Sequence, residues 1–85
     1  MSYSVTIFPQ ARRALEKLPA RDRRRTDEVI AKLADVPRPP GCLKMQGEDR
    51  WRVRAGDYRV IYEIDDANQA VAVLLVGHRR DVYRR

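Results

Sequence analysis

The sequence predicts an α+β domain of element order β-α-α-β-β-β, with an N-terminal helical hairpin packed on a small, mostly antiparallel sheet. Three observations carry this. Apolar residues recur at helical spacing between residues 11 and 33. A proline-rich segment, PRPPGC at 37–42, can hold neither a helix nor a central strand, because its prolines remove donors and fix φ. Beyond it, β-branched and aromatic runs are separated by two short turn-forming clusters.

Residues 3–8, YSVTIF, suit a strand and stop at Pro9, which fits the first turn of a helix because its missing N–H would be unpaired there. Ala11, Ala14, Leu15 and Leu18 then place an apolar stripe on a short helix that ends before Pro19. A second helix is expected from about Ala20 to Asp35, burying Val29, Ile30 and Leu33. Arg21, Arg23, Arg24 and Arg25 crowd its start, where the helix dipole disfavours cations. With Asp22, Asp27 and Glu28 interleaved, a solvated helix face is a commoner explanation of this run than a nucleic-acid surface.

Extended runs are expected at about 50–55, 58–64 and 70–76, separated by AGD and DDANQ. Connections this short make an antiparallel meander. The last run, AVAVLLV, lacks alternation, which predicts an interior strand covered on both faces, with the N-terminal strand beside it.

With 85 residues the chain forms a single domain, 1–85, whose small core leaves room for one site. A hydrophobic fraction of 44% beside 35% charge is that of a folded protein. No apolar segment approaches the ~20 residues that span a bilayer, and the N-terminus lacks the layout of a signal peptide, so a cytoplasmic protein without membrane association is expected. The single cysteine, Cys42, excludes an internal disulfide and cannot begin a zinc site, so no metal or other cofactor is expected. Basic residues outnumber acidic ones 18 to 12, a net charge of +6, and 15 of the 18 are arginine, whose planar fork suits phosphate. A polyanion or an acidic protein is the natural complement.

The stretch WRVRAGDYRVIY, residues 51–62, concentrates that charge. Gly56-Asp57 makes a two-residue type II′ loop, which sets Arg54 across from Arg59, Val53 from Val60, Arg52 from Ile61 and Trp51 from Tyr62. Trp51, Val53, Ala55, Tyr58, Val60, Tyr62 and Ile64 then share the face that meets the helices, and Arg52, Arg54 and Arg59 share the other. Like charges directly opposite cost about 0.2–1 kcal/mol, which a sequence selected only to fold could avoid with glutamate at 54 or 59. Ion pairs with Glu48, Asp49, Asp57 or Glu63 are one explanation, and a phosphate site is the preferred one.

The closing GHRRDVYRR adds the only histidine, His78, with Arg79, Arg80 and Tyr83. His78 suits either a structural hydrogen bond or acid–base work. Strand alternation past Val76 would put Arg79 on one face with Val73 and Leu75, and His78 on the other with Leu74. Tyr83 can cap the core or stack on a base.

Taken in order, YSVTIFPQARRALEKL, LKMQGEDRWRVRAGDYRVIYEI and VLLVGHRRDVYRR resemble the RelE branch of the RelE/ParE toxin superfamily over nearly the whole chain. The basic-x-basic pattern before GDYRVIY and the ending GHRRDVY are specific together, whereas either alone is weak. The resemblance implies a helical hairpin on a twisted sheet. It implies the toxin of a type II toxin–antitoxin pair, an endoribonuclease that enters the ribosomal A site and cuts mRNA without a metal, by attack of the ribose 2′-hydroxyl on the neighbouring phosphate.

The family's basic pair falls on Arg52 and Arg54, its arginine after the tyrosine on Arg59, and its late arginine and tyrosine on Arg79 and Tyr83. The resemblance implies that Arg59 and Arg79 stabilise the phosphorane, assisted by Arg54, and that Tyr83 orients or stacks the nucleotide. Arg52, Arg54, Arg59 and Arg80 would hold phosphates. Better-known members have lysines where this chain has Arg52 and Arg54, and arginine cannot serve as a general base, which makes His78 the first candidate, with Tyr83 or a nearby carboxylate as the others and a slow enzyme acting mainly by positioning as the alternative. The implied partners are an acidic RelB-like antitoxin, the ribosome with its mRNA, and operator DNA reached only through the antitoxin. A ParE-like inhibitor of DNA gyrase and an inactive antitoxin-binding module of the same fold are the competing readings.

Overall fold

In the computed structural model, which describes residues 2–47 and 49–78, the chain runs β1 (Ser4–Ile7), α1 (Pro9–Glu16), α2 (Ala20–Lys32), β2 (Leu43–Lys44), β3 (Trp51–Ala55), β4 (Tyr58–Asp65) and β5 (Ala70–His78). The strands form one mixed sheet in the order β1-β5-β4-β3-β2. β1 lies parallel to β5, and every other neighbouring pair is antiparallel. The expected β-α-α-β-β-β order holds with one addition. Two-residue β2 pairs Leu43 with Arg52 and Lys44 with Trp51, and is too short to leave a periodic signal.

Pro9 occupies the first turn of α1, as its missing donor favours, and α1 buries Ala11 and Leu15. α2 buries Ile30 and, just past its end, Leu33. It also buries Thr26, whose hydroxyl donates back to the Asp22 carbonyl at 2.7 Å and so enters the core with its polar group satisfied. Both helices cover the same sheet face: Ala11, Leu15, Ile30 and Leu33 pack with Val53, Val60, Tyr62, Val71, Val73 and Val76, while Trp51 and Ile64 pack at the margin. Among the described residues no helix is long and apolar enough to cross a membrane.

β5 is interior, flanked by β1 and β4, but its alternation is broken. Tyr62 pairs with Val73 while Ile61 pairs with Leu75, so Leu74 is an extra residue, a β-bulge. The bulge lets Val71, Val73 and Val76 all reach the helix side. It also places Val73 and Leu75 on opposite faces, which corrects the expectation from uninterrupted alternation.

Tyr62 is fully buried, and its hydroxyl donates to the Pro37 carbonyl at 2.7 Å. Burial pushes that hydroxyl well above the ordinary tyrosine range, and nearby Cys42 pushes it further. The bond ties the sheet to the proline-rich loop that leads into β2. Tyr62→Phe leaves a carbonyl of that loop without its donor and is expected to cost about 1–3 kcal/mol, readable as a lower urea midpoint at unchanged m.

At the far end of the sheet from the β3–β4 turn, Asp66 accepts two hydrogen bonds from Arg38, at 3.2 and 2.8 Å, and one from the Tyr3 hydroxyl at 2.8 Å. The Arg38 guanidinium also lies over the Trp51 ring, 5.0 Å from its centroid. One carboxylate thereby links the N-terminus, the proline-rich loop and the β4–β5 turn. Arg38, then Tyr3, hold Asp66 below the usual carboxylate range. A depressed folded-state pKa adds stability above the unfolded value of ~3.9, and this is lost as pH falls through the folded value. Wild-type protein is therefore expected to melt above Asp66→Asn at neutral pH. Thermal melts should show the difference shrinking below about pH 5 and closing at lower pH.

Candidate functional site

β3 and β4 meet at Gly56-Asp57, where φ is +63° at Gly56 and not positive at Asp57, the pattern a type II′ turn requires. Short hairpins of this kind admit one register. The pairs are Ala55 with Tyr58, Arg54 with Arg59, Val53 with Val60, Arg52 with Ile61 and Trp51 with Tyr62, as the turn chemistry predicts.

Arg52, Arg54 and Arg59 accordingly lie together on the sheet face away from the helices. With Gly41 and Leu43 they line a small cavity of about 180 Å³. β2 supplies one wall, since Leu43 stands directly across from Arg52. Ile61, only 2% exposed, lies between Arg52 on β3 and Leu75 on β4's other side, an apolar floor beneath the charges. Gly77 pairs with Arg59 and contributes no side chain there.

Arg54 donates from Nε to the Gly56 carbonyl at 3.2 Å, and half-buried Arg59 donates from Nη1 to the Tyr58 carbonyl at 3.4 Å. Both guanidiniums are thus oriented by backbone carbonyls of the turn. Two of the carboxylates considered as their partners face other cations: Glu63 lies 3.6 Å from Arg50 and Asp49 lies 3.9 Å from Lys44. Glu48 is outside the described residues. Such a face attracts anions, and its apolar floor lowers the local dielectric and strengthens that attraction.

Like charge at 54 and 59 has a measurable cost. Arg54→Glu replaces repulsion by attraction across the strand pair and is expected to raise stability by about 0.2–1 kcal/mol. At low salt Tm should rise by a few degrees, and high salt should erase the gain.

His78 does not join this face. It pairs with Tyr58, two residues from the core pair Val60 and Val76, and its ring meets the Tyr58 ring edge-on at a centroid distance of 5.7 Å. It sits on the helix side of the sheet, opposite Arg59. Arg79, Arg80 and Tyr83 lie outside the described residues. Gly41 and Leu43 are the lining residues that sequence reasoning missed. Their one signal was Leu43, an apolar residue between the proline-rich loop and the arginine hairpin, 54% exposed in the fold.

Residues 5–83 match the family model for the ParE toxin of the type II toxin–antitoxin system parDE. The chain is 37% identical to toxin RelG of Mycobacterium tuberculosis, with both chains covered in full. It is 34% identical to toxin RelE of the same organism over 96% of this chain and 87% of that one. Among solved structures, the RelE–RelB complex of Pyrococcus horikoshii superposes with a TM-score of 0.83 at 34% identity, covering 93% of this chain and 97% of that one. The RelBE2 toxin–antitoxin complex of Mycobacterium tuberculosis gives 0.82 at 33% identity, covering 93% and 100%. A fold, a hairpin and relatives that agree over the whole domain place this chain in the RelE/ParE family, as a toxin of the type II toxin–antitoxin class.

Proposed function

We propose that the protein is a ribosome-dependent endoribonuclease that inhibits translation by cutting mRNA in the A site. The observation that carries this reading is the convergence of Arg52, Arg54 and Arg59 on one sheet face, around a small cavity that Gly41 and Leu43 complete. The substrate's own 2′-oxygen attacks the adjacent phosphorus and the bond to the 5′-oxygen breaks. The products are a 2′,3′-cyclic phosphate and a 5′-hydroxyl.

Negative charge builds on the phosphorane oxygens, where Arg59 and Arg54 stabilise it from fixed positions. Arg52, beside them, holds a flanking phosphate. Resemblance to the family assigns Arg79 to the same phosphorane, Arg80 to a phosphate and Tyr83 to the nucleotide. The 2′-hydroxyl proton must leave and the 5′-oxygen must gain one. Arginine accepts no proton, and the His78 ring is on the other face, so the protons exchange with water or pass through Tyr83, and the arginines carry most of the acceleration by charge and positioning.

RelE structures solved with RelB support an antitoxin as the physiological partner. With a toxin charge of +6, an acidic antitoxin segment that covers the arginine face is the complementary inhibitor, and operator DNA is reached through it. The ParE name of the matching family model supports a second reading, inhibition of DNA gyrase.

Primer extension on mRNA translated by purified ribosomes tests the proposal. Cuts within A-site codons that leave 5′-hydroxyl ends are expected. Intact mRNA together with inhibited gyrase supercoiling would establish the second reading instead, and neither effect would leave an inactive antitoxin-binding module.

A further inference from the structure

Arg25 belongs to α2, far in sequence from the hairpin, yet it rests on the hairpin's tip. A Cβ built on Gly56 would lie 2.6 Å from Arg25 Nη1 and 3.3 Å from its Cδ. A side chain at 56 would have to displace that guanidinium. From the other side Arg54 Nε donates to the Gly56 carbonyl at 3.2 Å. Two guanidiniums from distant parts of the chain therefore grip one residue, and covalent geometry keeps them within about 9 Å of each other.

The flank of α2 explains why Arg25 reaches this far. Thr26 and Ile30 face the core, while Asp22 and Val29, one turn to either side of Arg25, are half-buried. Arg25 follows them along the border between helix and sheet, and its guanidinium ends over the turn. It is exposed, and among the described residues it makes no hydrogen bond or ion pair. Arg23, by contrast, faces Asp27 at 3.7 Å within the helix. At the tip, Arg25, Arg54 and Arg59 stand against one carboxylate, Asp57, so the tip is net positive.

We propose that Arg25 forms a second phosphate seat, so that an RNA strand held on the arginine face crosses the Gly56 tip and continues along the flank of α2. This rests on the reading of that face as an RNA site. The guanidinium lies over Gly56, keeps all five donors for a ligand and carries its charge at every physiological pH. The bare backbone of Gly56 lets a strand pass close between Arg54 and Arg25. The arginine run of α2, which the sequence favours as a solvated face, thereby acquires one member with a ligand.

Fluorescence anisotropy with a short, labelled 2′-O-methyl oligoribonucleotide, which cannot be cut by its own ribose, measures this apart from catalysis. For single strands, log K against log salt has a slope near −0.7 per phosphate neutralised. Arg25→Met keeps an apolar stem over Gly56 and removes the charge. Its slope should shrink by about 0.7, with affinity near 0.1 M salt falling roughly fivefold, while Arg25→Lys keeps the wild-type slope.

A wild-type slope in folded Arg25→Met overturns the proposal. Should that variant not fold, the Arg25 Nε–H resonance of the wild-type protein is followed during titration with the same oligonucleotide, and a stationary resonance overturns it equally. Arg54→Met separates the two levels. A reduced slope there with none in Arg25→Met removes only the second seat, whereas wild-type slopes in both remove the RNA site itself.

Discussion

Arg59→Ala is expected to lower the rate of mRNA cleavage on the ribosome by about 10²–10³-fold, the loss typical of removing one fixed donor to a developing oxyanion. Arg59 is half-buried, oriented by the Tyr58 carbonyl and set beside Ile61 on the same face, so in the proposed mechanism its charge is in place before the phosphorane forms. Its loss should fall on kcat more than on KM, because in the proposed mechanism the flanking phosphate is still held by Arg52. The variant also gains relief from Arg54 directly opposite. His78→Gln provides the contrast. With its ring against Tyr58 on the helix side, it should change the rate by less than about tenfold and leave the pH–rate profile in place. A loss as deep as that of Arg59→Ala, with a flattened profile near neutral pH, would return the base to His78.

Leu33→Ala is expected to produce the largest loss of stability, about 3 kcal/mol within the 2–5 kcal/mol range for fully buried leucines. Leu33 is 0% exposed and packs where α2 ends and the chain turns into the proline-rich loop. It belongs to a cluster of buried side chains, which gives this site little room to collapse. A domain of this size has a total stability on the order of 4–13 kcal/mol. Tm should therefore fall by roughly 10–20 °C, read by circular dichroism, with Val36→Ala as an exposed apolar control that moves it by no more than a few degrees.

The arginine hairpin was legible in the sequence because its chemistry is local. Gly56-Asp57 admits one turn, the turn admits one register, and strand alternation then sends Arg52, Arg54 and Arg59 to one face. Pro9, Pro19 and the PRPPGC loop marked the limits of the helices for similarly local reasons. The bulge at Leu74 was illegible, because an extra residue in a uniformly apolar run changes no sequence pattern. β2 was illegible because two residues carry no period. The expectation that His78 would serve the arginines needed the bulged register of β5 and the Tyr58 contact to be tested, and these place its ring on the helix side.

By itself, then, the sequence determined what each short segment must do: turn, alternate, break, or carry positive charge. Backbone dihedrals and side-chain period act over a few residues, and they need no other part of the chain. Only the tertiary structure decided which distant segments share a surface. It brought β2 beside Arg52 to close the cavity, Asp66 to Arg38 and Tyr3, and Arg25 from α2 onto Gly56. Those meetings depend on how the helices seat on the sheet, which is set by the volumes of the core residues between them.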